Sequence, residues 1–371
     1  MSLRSPASPA LAALHQMACL DLGGPQMIEP VLRELRRAIG FESASYVHPG
    51  GDPGAPEMQV YVEDSTLQDA SPGYFDPHVQ RSEGQVFHHS LRQFHEAARH
   101  EPGPRMLEQM AKVPYASLMR SDFYDALLRP ARVVDWVSLA LRTPQGRGFG
   151  TLSLYRYAGS PRFRQEEAAA FTPLEASLAC VLQPGALDAG DGEVHSQGLL
   201  IATPQGRLLW LSPEAEALMP QAFGWRWRRR AELPAVLRQM LQRLHPCAEG
   251  VDAPPHMEWH NASGWFSLRG TRMAAATGAG QAVGIHITRR VARGARLQAA
   301  LRALGLPQRQ HELAYWLARG LPESQIAERM DISANTVVYH RRQLYNRLGV
   351  HDRRELLAWL SLRGGGGLAS A

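Results

Sequence analysis

Between Pro322 and Leu348 two short helical patterns stand three residues apart, an arrangement few folds accept. The first, Pro322-Glu-Ser-Gln-Ile-Ala-Glu-Arg-Met330, turns Ile326, Ala327 and Met330 to one side. Asp331-Ile332-Ser333 makes a tight turn. Ser333 is placed to cap a longer helix, Ala334–Leu348, whose inward positions are Val337, His340, Leu344 and Leu348, with Gly349 as its stop. A helix over 306–320 precedes the pair with Leu313, Trp316 and Leu317 apolar, and Asp352–Leu360 follows with Leu356, Leu357 and Leu360 apolar. Any αα-hairpin shares the short turn. The small Ala327 where the helices approach and the basic outer face of the second helix point instead to a helix-turn-helix, which sets its second helix in the DNA major groove.

The charge distribution agrees with a polyanion-binding end. The chain is +5 over 371 residues, but residues 289–371 hold 14 arginines against six acids, a net +8, which leaves −3 on residues 1–288. A solvated basic face produces the same count, so the motif decides between them. Among 40 Lys+Arg, Lys112 is the only lysine, and it sits in Met-Ala-Lys-Val-Pro. P-loop chemistry, which needs Gly-Lys-Ser/Thr at the nucleotide phosphates, is thereby excluded, and Schiff-base or kinase chemistry has no matching flanks. The arginine bias itself reads as the codon composition of a GC-rich genome.

The run Gln325-Ile-Ala-Glu-Arg-Met-Asp-Ile-Ser-Ala-Asn-Thr-Val-Val-Tyr-His-Arg-Arg-Gln-Leu-Tyr-Asn-Arg-Leu-Gly-Val350 resembles the LuxR/FixJ-type DNA-binding domain, over about 60 residues. Two departures stand out: the usual opening Thr-x-Arg-Glu is Pro307-Gln308-Arg309-Gln310, and the usual Glu before Ile-Ala is Gln325. Each removes a carboxylate that normally fixes internal contacts. With the inward positions fixed, Asn335, Val338, Tyr339, Arg342 and Asn346 form the opposite stripe. The resemblance implies base-reading positions at Val338, Tyr339 and Arg342. Thr336, Arg341 and Arg347 are better placed for phosphates, which add affinity without sequence choice. Similar domains dimerise through their last helix, so Leu356, Leu357 and Leu360 are expected to face a second copy. The implied partners are double-stranded DNA, a small-molecule effector, RNA polymerase and a second copy of the chain.

The remaining chain reads as an α+β sensory body, GAF-like then PAS-like, ahead of an all-α C-terminal four-helix helix-turn-helix domain. Residues 1–184 begin with a helix carrying Met27, Ile28, Val31, Leu32, Leu35 and Ile39 and stopping at Gly40. Strand candidates follow at Ser45–His48 and Met58–Val62, then a hairpin from Asp135–Leu141 and Gly150–Tyr157, then a helix over Gln165–Leu182. This order suggests a GAF-type sensor. Residues 185–194 are small, acidic and Gly-rich and read as a linker. Residues 195–288 open with strand, tight turn, strand and a helix capped by Ser212 with Pro213 first, which resembles the start of a PAS domain. Met257–Leu268 and Gln281–Thr288 are its later strand candidates. Residues 289–304 read as a connector helix, 305–363 as the DNA module and 364–371 as a flexible tail.

Other chemistry in the body is weak. His88, Leu91 and His95 share a face if their segment is helical, but no Cys or carboxylate completes a ligand set, so a solvated helix is the reading and neither metal nor cofactor is expected. Tyr74-Phe-Asp-Pro77 is similar to the Asp-Pro of acyl-homoserine-lactone sensors, yet the Trp/Tyr pattern expected upstream is missing. Trp225-Arg-Trp-Arg-Arg-Arg230 mixes aromatic and basic residues as single-strand binders do, and reads better as a solvated amphipathic edge. No nucleophile and base emerge as a set, so the chain is not expected to be an enzyme. Cys19, Cys180 and Cys247 lack metal or disulfide spacing, and no run of ~18–20 apolar residues occurs. A cytoplasmic regulator whose body senses an apolar or amphipathic molecule is the expectation. A constitutive DNA binder whose body serves only protein interaction or dimerisation is the alternative.

Overall fold

The computed structural model describes residues 7–20, 22–49, 58–183, 192–224, 227, 231–242, 256–274 and 281–364. Helices α1 (Ala7–Cys19) and α2 (Ile28–Ala38) precede strands β1 (Ser43–Pro49) and β2 (Met58–Val62). A run of short helices follows: α3 (Ser65–Ala70), α4 (Pro77–Val86) and α5 (Phe94–His100), then strand β3 (Pro104–Met106), then α6 (Leu107–Met110) and α7 (Tyr115–Leu118). The hairpin of β4 (Val133–Arg142) and β5 (Gly148–Tyr157) leads to α8 (Gln165–Ala169) and α9 (Glu175–Leu182). These strands form one antiparallel sheet in the order β2-β1-β5-β4-β3.

Continuous apolar runs in β4 and β5 reflect a sheet covered on both faces. Tyr46, Leu139 and Leu152 lie in a core shared with α1, α2 and α9, whereas Val47, Trp136 and Tyr155 belong to a second core under α4 and the turns around Phe123. In α2 the apolar stripe Ile28, Val31, Leu32 and Leu35 is buried, as its spacing predicts. The helix expected over 165–182 is broken at Thr172–Leu174, because Pro173 has no N–H to donate and restricts the residue before it. Helix α1 adds to the elements that the apolar spacing marks.

A second antiparallel sheet, β7-β6-β10-β9-β8, comprises β6 (Gly192–Ala202), β7 (Leu208–Leu211), β8 (His256–Asn261), β9 (Gly264–Ala274) and β10 (Gln281–Ala292). One face is covered by α10 (Pro213–Phe223) and α11 (Ala235–Gln242). Ser212 caps α10 as expected, its Oγ accepting from the Ala215 N–H at 3.2 Å. Gly198 is required beneath that helix: a Cβ there would collide with the Ala215 backbone nitrogen. Several expectations change here. Residues 192–194 belong to β6, and the single strand 257–268 is a hairpin turning at 262–263. Strand β10 runs on to Ala292, so 289–292 are not helical; pairing with β6 throughout, and with β9 as far as Arg290, outweighs the helical spacing of Val291, Ala295 and Leu297. Trp227 is buried in the core between the second sheet and its helices rather than edging it. The other residues of the 225–230 segment, linker residues 185–191, tail residues 365–371 and Cys247 lie outside the described residues.

Helices α12 (Arg293–Arg302), α13 (Gln308–Arg319), α14 (Glu323–Arg329), α15 (Ala334–Leu348) and α16 (Arg353–Gly364) complete the chain. Their core is continuous with that of the first sheet, since Leu14, Met17 and Leu22 join one apolar cluster with Leu301, Tyr315 and Leu356. A Cβ on Gly294 would come within 2.7 Å of the Tyr315 hydroxyl and 3.0 Å of Leu22 Cδ2. Polar contacts cross the same seam. The buried Glu34 carboxylate pairs with Arg302 at 2.8 Å, and the Gln16 amide meets His311 Nδ1 at 2.8 Å. Among the described residues no helix is long and apolar enough to cross a membrane, and no group of three metal-ligating side chains converges.

Removing one partner of the Glu34–Arg302 pair strands a charge, whereas replacing both does not. Arg302→Leu is expected to lower unfolding stability by about 2 kcal/mol, below the ~3–5 kcal/mol of a fully buried pair, because Arg37 also reaches Glu34 at 2.9 Å. The double variant with Glu34→Leu should lose less than the single one in chemical denaturation.

Candidate nucleic-acid interface and ligand cavity

Helix α14 ends as Met330 and Ile332 donate back to the carbonyls of Ile326 and Ala327 at 2.9 and 3.0 Å. Asp331 takes φ +49°, a left-handed conformation that Asp tolerates better than most residues. Ser333 then caps α15, its Oγ accepting from the Thr336 N–H at 3.2 Å, and Gly349 closes the helix at φ +66°. Ile326, Ala327, Val337 and Leu344 are buried between the helices, so the opposite side of α15 is presented outward.

Asn335, Tyr339, Arg342, Asn346 and Arg347 are exposed, and Thr336, Val338 and Arg341 are half-buried. Tyr339 is 57% exposed, a large apolar ring left in solvent on the stripe expected to read bases. Its hydroxyl accepts from the Gln343 amide at 2.6 Å. The half-buried residues are partly engaged already: the Thr336 hydroxyl meets Ser333 Oγ at 2.8 Å, and Arg341 is paired with Glu323 of α14. Arg341 therefore ties the two helices together in the unbound protein, a role its spacing alone does not reveal. His340 is half-buried rather than fully packed, with its ring edge against Tyr339 at 5.5 Å. Leu356 and Leu360 are buried against α12 and α13 in the chain's own core. They are not available to a second copy as expected, because α12 already covers that side.

The first domain holds a half-open cavity of about 120 Å³ between its sheet and α4, walled by Val47, Met58, Phe123, Leu127, Leu128 and Trp136 among others. Glu83 reaches it from α4 with its carboxylate bonded to the Tyr74 hydroxyl and the Leu91 N–H, both at 2.8 Å. Burial pushes Glu83 up to about 7, and it raises the Tyr74 phenol as well. Asp76, of the Tyr74-Phe-Asp-Pro77 segment, instead caps α4 by accepting from the His78 N–H at 2.7 Å. Glu83 escaped the sequence reading, although Val79, Ser82, Glu83 and Val86 follow helical spacing and a carboxylate among them is a visible anomaly. The His88–His95 segment is not one helix, since α5 begins only at Phe94; His89 instead pairs with Glu101 at 2.6 Å.

Residues 305–360 match the family model described as bacterial regulatory proteins, luxR family. The C-terminal domain is a luxR-family helix-turn-helix. Over 53 residues this chain is 47% identical to a probable transcriptional regulatory protein, SgaR of Hyphomicrobium methylovorum. That match covers 14% of this chain and 25% of SgaR, so the chain spans about a quarter of that relative's length. Among solved structures, Escherichia coli SdiA is similar at 13% identity and a TM-score of 0.27, with 91% of this chain and 90% of that one covered. The Vibrio cholera VqmA–ligand–DNA complex is similar at 14% identity and a TM-score of 0.24, covering 45% of this chain and 83% of VqmA.

Within the luxR-family domain the opening that departs from the usual pattern still makes internal contacts. Arg309 donates to the Met330 carbonyl at 3.0 Å, and the Gln310 amide donates to Gln343 Oε1 at 3.2 Å, so α13 is tied to the turn and to α15 without the missing carboxylate. Gln325 is exposed and makes no demand on the core.

Outside this domain, Glu83 predicts a pH signature. Its folded-state value lies above the ordinary 4.5, so the folded chain holds a proton that the unfolded chain releases. Its contribution to stability is present below pH 4.5 and is lost as pH rises to about 7. Glu83→Gln should flatten that part of the stability profile in pH-dependent thermal denaturation.

Proposed function

We propose that this chain is a sequence-specific DNA-binding transcription regulator whose reading residues are Val338, Tyr339 and Arg342, with Asn335 and Asn346 flanking them. Phosphate contacts come from Thr336, Arg341 and Arg347. The observation that carries this is the capped helix α15, held inward by Val337 and Leu344 and leaving Tyr339 and Arg342 in solvent, inside a segment that matches the luxR family. Arg342 is able to pair bidentately with guanine in the major groove. Arg342→Ala should cost about 1–3 kcal/mol at one operator base pair and relax the preference there. Arg347→Ala should weaken all DNA alike and lower the salt slope by about one. Footprinting and salt-dependent binding assays that leave both variants equal to the parent would displace α15 from the groove.

The first-domain cavity supports the sensor reading. At about 120 Å³ it approaches the size of cavity, ~150 Å³, in which an apolar protein interior accepts benzene. Its wall is mostly apolar, with the Tyr74–Glu83 pair and further polar groups such as Ser138, Ser153, His89 and Glu101, which suits a small amphipathic effector with hydrogen-bonding groups. The reading without a ligand, with the body as an interaction or dimerisation module, is favoured by one observation. Leu199, Trp210 and Met273 stand exposed on the outer face of the second sheet. A thermal-shift screen with small aromatic and short-chain amphipathic compounds separates the two. The sensor reading expects stabilisation that Leu127→Trp, which fills the cavity, abolishes. No stabilisation together with unchanged DNA affinity favours the interaction module.

A further inference from the structure

One row of side chains crosses four strands of the first sheet at a single register. Ser45 of β1 lies opposite Ser153 of β5, Ser153 opposite Ser138 of β4, and Ser138 opposite Arg105 of β3. Directly opposed residues share a face, so the row makes a polar band in the floor of the first-domain cavity, which all four residues line. Serine is a poor choice for the middle of a covered sheet, because its hydroxyl has to be bonded there. Here the bonds run within the floor: Ser138 Oγ meets Ser153 Oγ at 2.7 Å, and Ser45 Oγ meets the Tyr155 hydroxyl at 2.6 Å. Tyr155 is bonded to Ser153 in turn, which joins the two pairs into one chain.

The Ser138 end of this chain is the end that a guest meets. Ser138 is 8% exposed, the most open of the four hydroxyl residues, and Arg105 beside it is half-buried. Four hydroxyls joined by three bonds leave one O–H over, and a chain running from Ser45 to Ser138 delivers that proton next to Arg105. An acceptor seated between Ser138 and Arg105 draws the whole chain in that direction. Arg105 adds a fixed positive charge: among the described residues it donates to the Gln109 carbonyl at 3.0 Å and pairs with no carboxylate. The acids that line the cavity are already engaged, Glu101 with His89 at 2.6 Å and Glu83 with the Tyr74 hydroxyl and the Leu91 N–H. A cationic guest at this end meets like charge, and a neutral one leaves the guanidinium unbalanced.

We infer that the effector is a small carboxylic acid, bound as its anion with the carboxylate between Arg105 and the Ser138 hydroxyl. The inference rests on the sensor reading of this cavity and adds the charge of the guest and the end at which that charge sits. Guanidinium and hydroxyl donors converging on one carboxylate make charge-assisted hydrogen bonds, the stronger class. Trp136 stands two residues along β4 from Ser138, about 7 Å away on the same face. Phe87 meets the Trp136 ring edge-on, with centroids 5.8 Å apart. This places a flat apolar wall next to the carboxylate end, so aromatic acids and short-chain acids of benzene-like bulk fit. Arg105 is thereby the residue that sets specificity.

The test is calorimetric titration of the full chain with four probes of similar bulk: benzoate, hexanoate, benzyl alcohol and benzylamine. Both acids are expected to bind about tenfold more tightly than the alcohol, and the amine most weakly. Arg105→Met should cancel that preference while benzyl alcohol stays within about twofold of the parent, which reports an intact cavity. Ser138→Ala, a smaller change, should weaken benzoate about fivefold with the alcohol again unaffected, and it carries the test if Arg105→Met disturbs the fold. Leu127→Trp, by filling the cavity, should abolish all binding. Three results would each overturn the inference and leave the sensor reading standing: acids no tighter than benzyl alcohol, a preference that survives both Arg105→Met and Ser138→Ala, or benzoate heat that persists in Leu127→Trp while the alcohol's is lost. Silence from all four probes would overturn the sensor reading together with it.

Discussion

Helix α1 sits between two parts of the chain that are nearly 300 residues apart in sequence, and the architecture depends on the apolar seam it makes. Leu14 and Met17 are fully buried in a cluster that reaches the first sheet on one side and α13 on the other. Non-directional burial of this kind holds two domains together without specifying a unique angle. The polar contacts across the seam supply that specificity: Glu34 with Arg302, and Gln16 with His311. Gln16 also donates to the Gln308 carbonyl at 3.3 Å, at the first turn of α13. The DNA module is thus tied through its first helix, which leaves the outward stripe of α15 uncovered.

The two sheets divide the remaining work differently. The first is covered on both faces, and its two cores place a cavity on one side and the seam on the other. The cavity and the helices that hold the DNA module therefore lie on opposite faces of the same sheet. The second sheet is covered on one face only, and its outer face carries apolar side chains in solvent.

The DNA module was legible because its determinants are local. The cap at Ser333, the small Ala327 and the stops at Gly320 and Gly349 act within a few residues of where they stand, and hydrophobic spacing supplied the rest. Elements went astray where a distant partner overrode local spacing. Residues 289–292 have helical periodicity but are held as strand by β6, with β9 alongside as far as Arg290, and the 257–268 run hides a turn because both of its strands are partly buried. Helix α1 was missed because Ala7–Cys19 is mostly small and apolar, without the polar stripe that marks an amphipathic helix. Glu83 was missed because burial, not residue type, makes it unusual.

By itself the sequence determined a basic C-terminal helix-turn-helix with a named outward stripe and an α+β body ahead of it. Residue identity and spacing within a few turns of helix are enough for those conclusions. Tertiary structure decided the rest: Arg341 is spent partly on Glu323, Leu356 and Leu360 are covered by α12, and Glu83 is stripped of water. Each of these follows from contacts between residues far apart in the chain or on neighbouring helices, and desolvation by such contacts has no periodic trace in one dimension.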